Sequence, residues 1–94
     1  MHAATVPQWS VPLRIRRDNG GVVMVLNYET QTVFFLNALA ADVLESIDGI
    51  KTMEDLTRLF QQRHPSVDLT VVERDVESIV SKFVAEGTVV LGTC

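Results

Sequence analysis

A chain of 94 residues has room for one domain, near the small end of what sustains its own core. It is 47% hydrophobic and 21% charged, an ordinary globular composition, and its net charge of −4 speaks against roles that need a basic face, nucleic-acid binding above all. The longest apolar run, Val22–Leu26, is too short for a membrane span, and a single cysteine, Cys94, leaves no internal disulfide or thiolate metal cluster. The N-terminus lacks a basic stretch followed by an apolar core, so the expected compartment is the cytoplasm, with no membrane partner.

Residues 1–10 show no periodicity and contain Pro7. They are expected to form a flexible N-terminal arm, with Trp9 pinned to the single domain over residues 11–94. Val11-Pro12 introduces a first strand, Leu13–Arg17, in which apolar and basic residues alternate as in a half-buried strand. Arg14, Arg16 and Arg17 then read as a solvated edge face that discourages aggregation. Asp18-Asn19-Gly20-Gly21 predicts a hairpin turn, because Asn-Gly tolerates positive φ. Val22–Asn27 reads as a central strand covered on both faces. After a turn over residues 27–31, Thr32–Leu36 is a third strand rich in β-branched and aromatic residues. Val33 and Phe35 point one way and Phe34 and Leu36 the other, so one pair should fill the core.

Three helices follow. Asn37 is a good N-cap, and Leu39, Val43, Leu44 and Ile47 recur at helical spacing before Asp48-Gly49. Thr52-Met53-Glu54-Asp55 resembles a capping box, Leu56, Leu59 and Phe60 form the next stripe, and His64-Pro65 breaks it. Thr70-Val71-Val72-Glu73 predicts a second capping box. The third helix runs to about Glu86, stops at Gly87, and buries Leu69, Val72, Val76, Ile79, Val80 and Phe83. Thr88–Leu91 forms a short last strand. The expected fold is α+β: an N-terminal three-stranded antiparallel sheet packed on a three-helix, winged-helix-like unit, with a short C-terminal strand.

That order leaves one free sheet edge beside one long helix, a binding surface with no room for an enzyme cleft. Catalytic constellations are absent. His2 and His64 have no nucleophile or second metal ligand nearby, the serines lack a base, and Gly20-Gly21 sits in a hairpin turn where no helix follows to cradle phosphate. The expectation is a non-enzyme with no cofactor and no metal. A winged-helix DNA-binding or transcriptional regulatory module is the alternative. Against it, the third helix carries Glu73, Asp75, Glu77 and Glu86 against Arg74 and Lys82, carboxylates that repel phosphate.

The order of elements resembles the PqqD family, the small peptide chaperones of pyrroloquinoline quinone biosynthesis, and the wider class of RiPP recognition elements found in natural product biosynthesis. The matching stretches are Gly21–Asn27, Thr32–Ala41, Ile47–Leu56 and Glu73 through Gly87, with Phe34-Phe35-Leu36-Asn37 and Asp48-Gly49-x-x-Thr52 the most specific. The resemblance implies a domain that binds the leader region of a ribosomally made precursor peptide. The leader adds as a strand to the edge of Thr32, Val33, Phe34, Phe35 and Leu36 and lies against the third helix, by β-augmentation. On that helix one flank shows Val71, Asp75, Ser78 and Lys82, with Arg74 further round. Val71 would offer an apolar contact, Arg74 or Lys82 would meet acidic leader residues, and Asp75 a basic one. The implied partners are the precursor leader peptide and a peptide-modifying enzyme of radical-SAM, ATP-grasp or protease type. The same open edge offers a route to a homodimer.

Overall fold

A computed structural model describes residues 2–18 and 21–93. Its elements are β1 (Thr5–Trp9), β2 (Leu13–Arg17), β3 (Val23–Asn27), β4 (Thr32–Leu36), α1 (Ala38–Ser46), α2 (Met53–Arg63), α3 (Leu69–Ala85) and β5 (Val89–Thr93). The architecture is the expected α+β one. The Asn19-Gly20 turn and Cys94 lie outside the described residues.

β2, β3 and β4 form an antiparallel sheet with β3 in the middle. Ile15 lies opposite Val25, and Val25 opposite Phe34; Val23 lies opposite Leu36. These residues face the helices. Val23 and Val25 are buried, and Ile15, Phe34 and Leu36 pack on a cluster that includes Leu44, Leu56, Phe60, Val76, Val80 and Phe83. Phe34 and Leu36 are therefore the pair that fills the core. β3 is buried on one face only, a correction to the expected two-sided cover: Met24 and Leu26 are half-buried, and Val22 is 47% exposed. An unbroken apolar run does not reveal how many faces are covered, and here the helices lie on one.

The first ten residues are the main departure from expectation. Thr5–Trp9, expected as a flexible arm, is a strand paired antiparallel with β5, Trp9 opposite Val89 and Thr5 opposite Thr93. Ser10 N–H donates to Thr88 O (2.9 Å), which sets the parity of the ladder: the main-chain groups of Gln8 and Val6 face β5, and those of Pro7 face away. Proline thus sits where its missing N–H breaks no ladder bond. Trp9 does pin this segment, its Nε1 donating to Leu44 O at 3.0 Å. Ala3 O accepts from Glu54 N (3.1 Å), tying the same segment to the start of α2.

The helix ends follow from their caps. Asn37 accepts from Ala40 N with its side chain (2.8 Å). Thr52 and Asp55 complete a reciprocal capping box at 3.1 Å in both directions. α3 starts at Leu69, capped by Asp68, whose carboxylate accepts from Thr70 N (3.0 Å); the expected Thr70–Glu73 box is not the cap. Ile47 lies just past α1 as its C-cap yet is buried, whereas Leu39 (38% exposed) and Leu69 (51%) leave the expected core stripes. Arg17 leaves the solvated basic face, since its parity on β2 differs from that of Arg14 and Arg16. It reaches α1, donating to Asp42 (2.7 Å) and to Glu45.

The link between α1 and α2 turns on Asp48. Its Oδ1 accepts from Ile50 N (2.9 Å) and Lys51 N (2.8 Å), and its Oδ2 from Lys51 Nζ (2.7 Å). The Lys51 ammonium first, then the two main-chain N–H groups, hold the Asp48 carboxyl well below the usual carboxylate range. A depressed folded pKa contributes stability that is complete above the unfolded value of about 4 and is lost as pH falls through the folded one. Asp48→Asn should therefore lower the melting temperature at pH 7, and the gap to the parent chain should narrow below about pH 4. A gap that stays constant on acidification would rule out the charge contribution. Trp9→Ala should cost about 1–3 kcal/mol in chemical denaturation, from lost packing and one hydrogen bond. An arm without tertiary contacts would show no change.

Candidate functional site

β4 has β3 on one side, and among the described residues no strand pairs with its other edge. One bond fixes which main-chain groups face outward. Tyr28 N–H donates to Pro12 O (3.4 Å), continuing the β2–β3 ladder. Successive residues of a strand turn their N–H and C=O groups to opposite sides. Met24 and Leu26 therefore face β2, and Val23, Val25 and Asn27 face β4. Through the register, Thr32, Phe34 and Leu36 bond inward to β3. Val33 and Phe35 are left with two donors and two acceptors on the open edge.

Those two residues also differ in their side chains. Val33 is 47% exposed and Phe35 66%, both on the sheet face away from the helices. Phe34 and Leu36 underlie the edge from the core side. The five strand residues picked out by sequence thus divide into an outward pair and an inward trio.

A cavity of about 370 Å³ opens where β4 gives way to α1. Ala38 and Leu39 of α1, Phe60 of α2, and Val72, Val76 and Ile79 of α3 give it apolar walls, with Asp42, Asp75 and His64 among its polar lining. Asp42 is already engaged by Arg17. Asp75 has no ion-pair or hydrogen-bond partner among the described residues, so it is the carboxylate available to a ligand in the cavity. Leu39 and Ile79 were not singled out as site residues by sequence reasoning. The signal was present in Leu39, an apolar residue in the first turn after a helix cap, but it reads equally as core.

The structure brings Asp75 to this groove. Val71, half-buried, and Lys82, exposed, share its flank of α3 by helical spacing. Ser78 shares that flank by the same spacing, yet with Arg74 it lines a shallow depression on the outward face of α3 beside Thr70, Glu73, Glu77 and Ser81. Among the described residues no group of three His, Cys, Asp or Glu side chains is positioned to hold a metal ion. No described helix is long and apolar enough to cross a membrane.

An edge strand with two outward main-chain pairs, beside an apolar groove, suits an extended polypeptide. Comparison with curated proteins finds no sequence match. Among solved structures, the chain is similar to one described as "TbiB1 in Complex with the TbiA(beta) Leader Peptide", with a TM-score of 0.71 and 21% identity over 87% of this chain and 93% of that one. At that identity the likeness establishes a common fold. The profile of the family described as coenzyme PQQ synthesis protein D (PqqD) matches residues 23–89, from the start of β3 into β5, a span that holds the open edge and every wall of the groove. The chain belongs to the PqqD family.

Proposed function

We propose that this protein is a peptide chaperone that binds the leader region of a ribosomally synthesised precursor as a fourth strand on β4 and presents it to a modifying enzyme. The observation that carries the reading is the unpaired β4 edge, with the main chain of Val33 and Phe35 turned outward next to the cavity between α1 and α3. Family membership and the likeness to TbiB1, itself described with a leader peptide, support it. In this reading the chain is non-catalytic, needs no cofactor, and works in the cytoplasm, where precursors are made. The enzyme it serves is of radical-SAM, ATP-grasp or protease type. A DNA-binding role has no observation in its favour, since Glu73, Asp75 and Glu86 are exposed on or just beyond α3.

Magnitudes assign the roles. Four ladder bonds contribute about 0.5–1.5 kcal/mol each. Association and ordering of a flexible peptide cost on the order of 4–15 kcal/mol. Main-chain pairing alone does not offset that, so apolar anchors in the groove, at about 1.5–3 kcal/mol apiece, decide affinity. The edge sets register, and the groove selects sequence. Asp75 then favours a basic guest residue beside the anchor, and Lys82, two helical turns along, an acidic one. A homodimer through β4 would compete with the guest for the same groups.

Titration of the chain with synthetic peptides spanning the leader regions of candidate precursors tests this directly. Val33→Pro removes one outward donor and no inward one, so the guest should bind at least tenfold more weakly, with the melting temperature little changed. Unaltered affinity would exclude strand addition at β4. Asp75→Lys should shift preference away from guests with a basic residue next to the anchor and towards acidic ones. Equal effects on both guest types would place Asp75 outside the contact.

A further inference from the structure

The face of the sheet turned away from the helices is used neither by the core nor by the groove. Along it, Arg14 lies opposite Leu26 and Leu26 opposite Val33, while Arg16 lies opposite Met24 and Met24 opposite Phe35. Residues directly opposite one another share a face. The outer face therefore shows two parallel rows, each a cation followed by two apolar side chains, spaced about 7 Å along the strands. Arg14 and Arg16 are exposed and have no ion-pair or hydrogen-bond partner among the described residues. Other cations of the chain are differently placed, Arg74 and Lys82 singly on α3, a helix that also carries Glu73, Asp75 and Glu77. Arg17 is held by Asp42 and Glu45, Lys51 by Asp48, and Arg58 by Glu54; Arg63 stacks 5.1 Å from the Phe60 ring.

We infer that this outer face docks an acidic amphipathic helix of a partner protein. The helix would lay an apolar stripe over Met24, Leu26, Val33 and Phe35 and set carboxylates on Arg14 and Arg16. Charge chooses the occupant. A chain of net charge −4 repels an acidic partner over most of its surface, and these rows are where two uncompensated arginines adjoin exposed apolar side chains. A second copy would bring four arginines together under two negatively charged chains. An anionic membrane would meet two cations on a chain that it otherwise repels.

The inference rests on the proposed function for the partner's identity, the enzyme that acts on the bound peptide. Val33 and Phe35 receive the guest with their main chain and this face with their side chains. A guest strand on β4 extends the rows with its own alternate side chains. The partner then touches carrier and guest at once, and each strengthens binding of the other by the same factor.

Two synthetic helical peptides of about 18 residues, with the same Leu/Phe stripe flanked by Glu in one and by Lys in the other, provide the probe. Titrated into the ¹⁵N-labelled full chain, the Glu-flanked peptide should shift amides of Arg14, Met24, Leu26, Val33 and Phe35. It should bind at least tenfold more tightly than the Lys-flanked one and weaken as salt rises. The double variant Arg14→Glu/Arg16→Glu should reverse that order, Arg14→Gln/Arg16→Gln should abolish it, and both should bind the leader peptide within twofold of the parent chain. Equal affinity for the two peptides, shifts confined to α2 or α3, or an order unmoved by charge reversal would overturn the inference. So would self-association or binding to phosphatidylglycerol vesicles mapped to the same strands. Loss of leader binding at Val33→Pro is a separate readout. Its absence would refute strand addition while leaving the helix-docking result standing.

Discussion

β4 is hydrogen-bonded along one side only, and the rest of the functional surface is arranged around that fact. An open edge is normally a hazard, because unpaired main-chain groups accept any passing strand. Here the edge is short. Of five residues, Thr32, Phe34 and Leu36 are committed to β3, leaving Val33 and Phe35 to face outward. The same alternation sends Phe34 and Leu36 into the core, so the strand is anchored by the residues whose main chain is committed to β3. In the proposed function, anchoring and recognition are thus divided residue by residue along one segment.

The chain ends help to keep this edge open. Thr5–Trp9 and Val89–Thr93, either of which has the length to cap β4, pair with each other instead. Trp9 fixes that two-stranded ribbon to α1 through Leu44, and Ser10 hydrogen-bonds to Gly87 O at the far end of α3. Val6 and Val89 contribute buried side chains. The ribbon adds core to a small domain without spending the one edge on which the proposed binding depends. Most of it lies outside residues 23–89, the span that matches the PqqD family.

Much of this was legible in the residues, and the exceptions have physical causes. Asn37, Thr52 and Asp55 act as the caps their side-chain chemistry suggests, and Phe34 and Leu36 fill the core as alternation requires. The β1 strand was not legible, because its partner lies some eighty positions away and Pro7 reads as a breaker until the ladder's parity places it on the outer side. Thr70 lost the cap to Asp68, two residues earlier, since a single carboxylate in the right place suffices. Leu39 carries the periodicity of a core residue but lines a cavity, a distinction that depends on which helices meet there. Within α3, spacing put Val71, Asp75, Ser78 and Lys82 on one flank; that Asp75 lines the cavity while Ser78 joins Arg74 in the outward depression depends on the neighbouring elements.

The parity of β4 has one more consequence. Sliding a guest by a single residue turns its side chains over, exchanging those over the cavity for those on the outer face, so neighbouring frames are not equivalent. Permitted frames come in steps of two residues, about 7 Å. In the proposed function, a carrier built this way is a ruler with coarse graduations. A site modified downstream would be held at one mark or displaced by a whole division.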